Sequence, residues 1–228
     1  KLAARLLEAA ESSLERMASA PENSAPLKIL VLGDPGTGKT GLIRRLVYDT
    51  FNAHYKPSTT VDFHLCQVPF NDAMIHLQLW DVSSQQKQPS IAKVYFKDVF
   101  GALLVYDVTR PRTFDSALKW KELLDARSRE ETGSPVPVVL VGNKQDLESA
   151  QTDELQLDTF CADHGFATWF DTSAKTGANV QEAVSRLVAE ISQNAHAFSS
   201  KYHDHILFRP GKFPAPTSGS SSWWCAIS

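Results

Sequence analysis

The sequence predicts an α/β domain built on a mainly parallel, six-stranded sheet with helices on both faces. Short apolar segments typical of buried strands, such as those at 27–32, 101–108 and 136–142, alternate along the chain with segments of helical periodicity. Strands that alternate with helices pair in parallel, because the helix carries the chain back across the sheet. A glycine-rich loop between the first strand and the first helix also favours this class.

The remaining elements follow from periodicity in chain order. A helix is expected over Lys39–Tyr48, and two strands joined by a polar turn at Asn71 and Asp72 are expected after it. The predicted bounds of the later elements are strands at 61–69 and 74–80, a helix at 113–127, a helix near 153–164, a strand at 167–170 and a helix near 178–193. Together these elements form a predicted domain over 27–194.

Two segments are predicted outside this domain. Residues 1–20 place apolar side chains at helical spacing and predict an amphipathic helix, followed by a linker over 21–26. This helix is interpreted as packing on its own domain or as the end of a longer helix, since a coiled-coil or partner-binding element needs more heptads. Residues 195–228 contain many Ser, Pro and Gly residues and predict a flexible tail.

Composition excludes several classes of protein. The formal net charge of −3 argues against a nucleic-acid-binding protein, which normally carries a basic excess. The three cysteines are far apart and match no zinc-binding spacing, so we expect a reducing compartment. No apolar run approaches the roughly 20 residues that a membrane-spanning helix needs.

The glycine-rich loop has the pattern of a phosphate-binding loop. The segment GDPGTGKT (33–40) fits G-x-x-x-x-G-K-[ST] between a predicted strand and a predicted helix. Backbone N–H groups surround phosphates in such a loop, while the lysine contacts the outer phosphates and the hydroxyl binds Mg²⁺. The alternative is a glycine-rich turn with no ligand. The pattern favours a P-loop NTPase, whose expected phosphate-binding residues are Gly33, Gly36, Thr37, Gly38, Lys39, Thr40 and Gly41.

Two later motifs indicate which base is bound. Residues 143–146 (NKQD) follow one buried strand and residues 172–175 (TSAK) follow the last strand, so both lie where ligands bind in parallel sheets. The carboxylate of Asp146 can accept hydrogen bonds from the N1–H and 2-amino groups of guanine, a pair of donors that adenine lacks. An ATPase of another P-loop class is disfavoured for this reason.

With these motifs in place, residues 27–193 resemble the Ras superfamily and, within it, the Rab family. The resemblance extends to VDF (61–63), LWD (79–81) and VYFKD (94–98), and segments 113–125, 133–144 and 164–175 are most similar to the branch that serves lysosome-related organelles. It implies the small G-protein fold, a GTPase domain over 27–194, bound GTP or GDP with Mg²⁺, and hydrolysis of GTP.

The resemblance also implies roles for single residues. Phe51 and Lys144 would sandwich the guanine, Asn143 would join the loops, and the backbone N–H of Ala174 would reach the base, in a motif with Ser173 and Lys175. Asp81 would reach Mg²⁺ through water, beside Thr40 and Ser58. Phe63, Trp80 and Tyr95 match the aromatic triad that Rab proteins present to effectors, although these aromatic residues could alternatively belong to the core.

Both switch segments depart from the family pattern. Ser58 replaces the usual threonine of the first switch, and Ser84 replaces the glycine that lets the second switch swing its N–H onto the γ-phosphate. Gln85 keeps the position of the water-orienting glutamine and is the predicted catalytic residue. We therefore expect slow hydrolysis. The alternative is a nucleotide-bound scaffold that does not cycle and only recruits partners.

The chain's end predicts attachment to a membrane. Residues 225–228 (CAIS) have the C-a-a-X pattern, so Cys225 is the expected prenylation site, and the serine favours a farnesyl group. One lipid chain binds membranes reversibly. We expect the protein on the cytoplasmic face of an intracellular membrane, lysosome-related or endosomal. Effectors, an exchange factor and a GTPase-activating protein are the expected partners, and no nucleic acid is expected.

Overall fold

The computed structural model describes residues 26–53, 61–70, 73–82, 95–147 and 153–194. Within these ranges the chain forms six strands, four α-helices and one 3₁₀ helix. The predicted N-terminal helix over 1–20, the linker over 21–26 (apart from its last residue) and the tail over 195–228 lie outside the described residues.

The described elements match the predicted order of strands and helices. They are β1 (Leu27–Leu32), α1 (Lys39–Tyr48), β2 (Asp62–Phe70), β3 (Ala73–Asp81), β4 (Gly101–Asp107), α2 (Pro111–Thr132), β5 (Val138–Asn143), a 3₁₀ helix (Gln145–Leu147), α3 (Glu154–His164), β6 (Thr168–Thr172) and α4 (Val180–Gln193).

The largest difference from the predicted bounds is the length of α2. Periodicity predicted a helix over 113–127, whereas α2 begins at Pro111 and ends at Thr132. Proline suits the first helical position because its φ is already helical and no N–H is needed there. Gly133, at φ 80°, ends the helix and donates its N–H to the carbonyl of Arg129. Capping residues therefore set both ends of α2, beyond the apolar periodicity.

The six strands form one sheet in the order β2-β3-β1-β4-β5-β6. Every neighbouring pair is parallel except β2 and β3, which form an antiparallel pair. The predicted mainly parallel sheet is confirmed. Because five strands run in the same direction, their carboxyl ends meet at one edge, which we call the carboxyl edge. It consists of these strand ends and the residues that directly follow them.

Two apolar clusters hold the helices on opposite faces of the sheet. In β1, Ile29 and Val31 belong to one cluster, whereas Leu30 and Leu32 belong to the other. Central parallel strands are apolar on both sides because helices cover both faces. Helices α1 and α4 contribute to the first cluster, and α2 and α3 contribute to the second.

The first cluster predicts a large energetic difference between two leucines. Leu187 of α4 is 0% exposed and Leu155 of α3 is 77% exposed. Replacing Leu187 by Ala leaves a cavity and is expected to lower the free energy of unfolding by about 2–5 kcal/mol. The matched change Leu155→Ala is expected to alter it by less than about 0.5 kcal/mol. Urea unfolding of both variants measures this, and equal losses would contradict the proposed core.

Candidate functional site

Most of the predicted nucleotide-binding residues that the structure describes lie at or beside the carboxyl edge. Asp81 ends β3, Asn143 ends β5, and Ser173 follows β6. The loop over 33–38 connects the end of β1 to the start of α1. Ligands bind at this edge of open parallel sheets, because loops from several strands converge there. The structure thus brings together motifs that lie more than a hundred residues apart in the sequence.

The loop over 33–38 requires glycine at two close approaches. A Cβ on Gly33 would lie 2.1 Å from the carbonyl oxygen of Val105, and a Cβ on Gly38 would lie 2.2 Å from Nδ2 of Asn143. Both glycines also have positive φ, 142° and 97° respectively. The glycines therefore let the loop pack directly against the neighbouring strand ends, before α1 begins at Lys39.

The ammonium group of Lys39 is held inside this loop. Its Nζ donates to the carbonyl oxygens of Gly33, at 3.0 Å, and Asp34, at 3.1 Å, and the side chain is buried. A buried charge is stable only where polar groups surround it. The two bonds fix the positive charge at the N-terminus of α1, where the helix dipole also favours an anion.

Thr40 and Asp81 form a polar pair suited to a hard cation. The Thr40 hydroxyl donates to Oδ2 of Asp81, and the carboxylate is buried. Burial raises the pKa of Asp81 above its usual value. The hydrogen bond from Thr40 and the charge of Lys39 offset only part of this rise. Among the described residues, Oδ1 of Asp81 has no hydrogen-bond partner. An unpaired carboxylate oxygen beside a hydroxyl fits Mg²⁺, which prefers oxygen ligands and keeps several waters.

Asp146 is arranged as a hydrogen-bond acceptor. Its Oδ1 accepts from the Ser173 hydroxyl at 2.6 Å, and its Oδ2 lies 3.4 Å from Nζ of Lys175. Burial raises the pKa of Asp146, but the hydrogen bonds from Ser173 and Lys175 outweigh it and hold the pKa below its usual value. The carboxylate therefore stays ionised at neutral pH, and both neighbours come from the predicted motif at 172–175.

The side chain of Asn143 joins the phosphate loop to the loop that follows β6. Its Nδ2 donates to the carbonyl oxygen of Thr37 at 2.8 Å, and its Oδ1 accepts from the backbone N–H of Ala174 at 3.1 Å. The sequence had assigned this N–H of Ala174 to the base. Its contact with the base stays a prediction.

Phe51 follows α1, whereas Lys144 directly follows β5 at the carboxyl edge. A Cβ on Gly41 would lie 3.5 Å from Cβ of Ala174 and 4.0 Å from Cε2 of Phe51, so Phe51 approaches the first turn of α1. Lys144 has a positive φ of 74°, and its Nζ lies 2.7 Å from Oδ2 of Asp107. Their sandwiching of guanine stays a prediction.

Sequence analysis missed three residues that contact the loops of the site: Arg45 in α1, Asp107 at the end of β4, and Arg110 shortly after it. Arg45 donates through Nε to the carbonyl of Ala174 at 3.0 Å and through Nη2 to that of Lys175 at 2.7 Å. Nothing in the sequence around Arg45 indicates these contacts. Asp107 ends a buried strand, so the rule that located Asn143 could have found it. Arg110, three residues later, reaches the phosphate loop and is discussed below.

The predicted effector residues form a line of aromatic rings. The ring centroids of Phe63 and Trp80 are 6.0 Å apart, and those of Trp80 and Tyr95 are 6.2 Å apart. Trp80 and Tyr95 are half-buried against the second apolar cluster, whereas Phe63 is 59% exposed. The Lys28 ammonium lies 4.2 Å from the Trp80 ring centroid. The core alternative therefore does not hold for Phe63, and effector binding stays a prediction.

Four predicted site residues lie outside the described residues. They are Ser58 and Ser84 of the switch segments, the catalytic candidate Gln85, and the lipidation site Cys225. Their roles stay predictions. Among the helices that the structure describes, none combines the length and the apolar character that crossing a membrane requires.

Comparison with known proteins agrees with this arrangement. The model of the Ras family matches residues 28–193. Ras-related protein Rab-32 from Homo sapiens is 41% identical over 191 residues, which cover 82% of this chain and 84% of the relative. Ras-related protein Rab-32A from Dictyostelium discoideum is 39% identical over 202 residues, which cover 86% of this chain and 91% of the relative. Ras-related protein Rab-7L1 from Rattus norvegicus is 37% identical over 169 residues, which cover 74% of this chain and 83% of the relative.

The matched region contains the whole carboxyl edge, from the phosphate loop to the motif at 172–175. The family match covers most of the chain, and the relatives cover similar lengths. Fold, site geometry and similarity therefore agree. The chain belongs to the Ras family, as a small GTPase of the Rab type.

Proposed function

We propose that this chain binds GDP and GTP with Mg²⁺ and acts as a membrane-trafficking switch with slow intrinsic hydrolysis. The observation that carries the proposal is the double hydrogen bonding of Asn143 to Thr37 and Ala174. These bonds hold the loop proposed to bind phosphates and the loop proposed to bind guanine at one edge of the sheet. A single nucleotide can therefore occupy both.

Each half of the proposed site recognises a different part of the nucleotide. The N-terminus of α1 and the Lys39 ammonium offer positive charge to the phosphates. The ionised carboxylate of Asp146 accepts hydrogen bonds from N1–H and the 2-amino group of guanine. Adenine presents an acceptor at N1, so it would leave the carboxylate facing a lone pair. Guanine selectivity follows from this difference.

Thr40 and Asp81 are the described residues that would hold Mg²⁺, and Ser58 is the third proposed ligand. The support is the unpaired Oδ1 of Asp81 beside the Thr40 hydroxyl. Bound Mg²⁺ would neutralise charge on the outer phosphates. The protein's own contribution is to orient the Thr40 hydroxyl, which would contact Mg²⁺, and the Asp81 carboxylate, which would reach it through water, from the elements α1 and β3.

Slow hydrolysis is proposed from residue identity in the switch segments. Ser84 stands where the family has a glycine hinge, and a side chain there restricts the backbone conformations available for contacting the γ-phosphate. Gln85 is the proposed catalytic residue that orients water, and its position depends on that backbone. Ser58 keeps a hydroxyl but lacks the methyl group of threonine, so the closed first switch is held less firmly.

The second candidate is a scaffold that keeps its nucleotide and recruits partners without cycling. The exposed ring of Phe63 beside Trp80 and Tyr95 favours a recruiting surface in either case. Effectors would bind this aromatic surface, while an exchange factor and a GTPase-activating protein would be needed only by a cycling switch. The two candidates thus differ in whether bound GTP is turned over.

We further propose a location on the cytoplasmic face of a lysosome-related or endosomal membrane. The support is the resemblance of segments 113–125, 133–144 and 164–175 to the branch serving those organelles, together with the C-a-a-X pattern at Cys225. A single prenyl group gives reversible membrane binding, so a protein partner is expected to assist retention.

Replacing Asp146 by Asn tests recognition of guanine. The variant loses the charged acceptor of two hydrogen bonds, so GDP affinity is expected to fall at least about 100-fold. Xanthine carries a carbonyl in place of the 2-amino group, which suits the amide of Asn, so affinity for xanthosine diphosphate is expected to rise. Competition with a fluorescent nucleotide measures both. The exposed carboxylate of Asp163 provides the control, Asp163→Asn, which should change neither. Unchanged GDP affinity in Asp146→Asn would refute the assigned role.

Replacing Ser84 by Gly tests the cause of slow hydrolysis. A residue forced into disfavoured backbone conformations costs about 1–3 kcal/mol, so the glycine variant is expected to hydrolyse GTP about tenfold faster or more. Single-turnover hydrolysis of the Mg²⁺-loaded protein measures this, with Ser83→Gly as the matched control. A wild-type rate equal to that of Ser84→Gly would contradict the restraint. If the wild type and Ser84→Gly both keep their GTP unhydrolysed, the scaffold function is favoured.

A further inference from the structure

Arg110 contacts two segments that flank the nucleotide site. It lies between β4 and α2, where its Nε donates to Oδ2 of Asp107 at 2.9 Å. Its Nη2 donates to the carbonyl oxygen of Pro35 at 3.1 Å. A Cβ on Gly36 would lie only 3.4 Å from Nη2, so the guanidinium group lies directly against the backbone of the phosphate loop.

Asp107 connects Arg110 to the guanine side of the site. The buried carboxylate accepts from Nζ of Lys144 at 2.7 Å and from the N–H and hydroxyl of Thr109 at 3.0 and 2.7 Å. Burial raises the pKa of Asp107, but the hydrogen bonds, first that from Lys144, outweigh it and keep the pKa low. A chain of charge-assisted contacts therefore runs from Lys144 through Asp107 and Arg110 to Pro35.

Among the described residues, side chains at the ends of β5 and β4 donate hydrogen bonds to two carbonyl groups of the phosphate loop. The carbonyl of Thr37 is bonded to the buried amide of Asn143, whereas the carbonyl of Pro35 is bonded to Arg110. The Arg110 side chain is 45% exposed, so water can compete for its bonds. Proline has no N–H, which leaves this carbonyl as the only backbone hydrogen-bonding group of the residue. Of these two hydrogen bonds, the one from Arg110 to Pro35 is therefore the one that can break without disrupting the buried core.

We propose that Arg110 acts as a latch that restrains the phosphate loop and slows release of guanine nucleotide. The Arg110 latch denotes the hydrogen bonds from Arg110 to Asp107 and to Pro35. The inference rests on the proposed nucleotide binding and adds to it a positioning residue. Release of nucleotide requires the loop to move away from the phosphates, and the latch opposes that movement by holding Pro35 to the end of β4.

The backbone around Arg110 does not depend on its side chain. The N–H of Arg110 donates to the carbonyl of Asp107 at 2.8 Å, and its own carbonyl accepts from the N–H of Thr113 at 2.9 Å. The Thr113 hydroxyl also donates to it at 2.7 Å. These bonds remain when the guanidinium is removed, so the turn that begins α2 is expected to persist in Arg110 variants.

The test compares nucleotide dissociation from the full chain loaded with fluorescent GDP and Mg²⁺. Arg110→Ala is expected to release GDP about tenfold faster, with the association rate unchanged, because a latch acts on the bound state. Arg110→Lys keeps the charge but cannot span both acceptors, so it is expected to release GDP nearly as fast. Arg112→Ala, two residues along, is the matched control and should release GDP at the wild-type rate.

Three results would overturn the latch. If GDP dissociates from Arg110→Ala and Arg110→Lys at the wild-type rate, the latch role of Arg110 is refuted, whereas the proposed nucleotide binding is not. A salt-dependent loss in association rate with unchanged dissociation would assign Arg110 to charge attraction instead. Failure of the wild type to retain any guanine nucleotide would remove the proposed function and the latch together. If Arg110→Ala is unstable in urea unfolding, Arg110→Lys decides the outcome.

Discussion

The structure of the site depends on one buried amide. Asn143 stands at the end of β5, and the nitrogen and oxygen of its amide bond to the phosphate loop and to the loop after β6, respectively. This contact also explains why residue 38 is glycine, since a Cβ there would lie 2.2 Å from the amide nitrogen. An amide can donate and accept at once, which a carboxylate or an ammonium group cannot do at neutral pH. The strand end therefore fixes the distance between the two loops.

Charged side chains at the carboxyl edge are buried because the protein pairs them in advance. Lys39 bonds to loop carbonyls, Asp107 to Lys144 and Arg110, and Asp81 to Thr40. Buried pairs of this kind add little to the stability of the fold, because the cost of removing the charges from water offsets the attraction between them. Their value is positional: each holds a loop at a defined distance from its neighbours. The apolar clusters on both faces of the sheet supply the stability that permits this arrangement.

The sequence was sufficient for the fold and for the residues that belong to contiguous motifs. Apolar composition located the six strands, and the loop before Lys39 was recognisable because its glycines, lysine and threonine are adjacent in the chain. Arg45 and Arg110 were missed because their partners lie 129 and 75 residues away, and only the sheet register brings them together. The ends of α2 were missed because capping, not periodicity, determines them. The hydrogen bond from the N–H of Ala174 to Asn143 was missed because the spacing of the two motifs does not show which groups face each other.

The central claim is that one guanine nucleotide occupies both loops that Asn143 joins. Its most direct test is calorimetric titration of the nucleotide-free chain with GDP and with ADP in the presence of Mg²⁺. A site built to pair with a specific hydrogen-bonding edge rejects the mismatched base strongly, so GDP is expected to bind at least about 1,000-fold more tightly than ADP. Equal affinity for GDP and ADP, or no binding of either, would contradict the account.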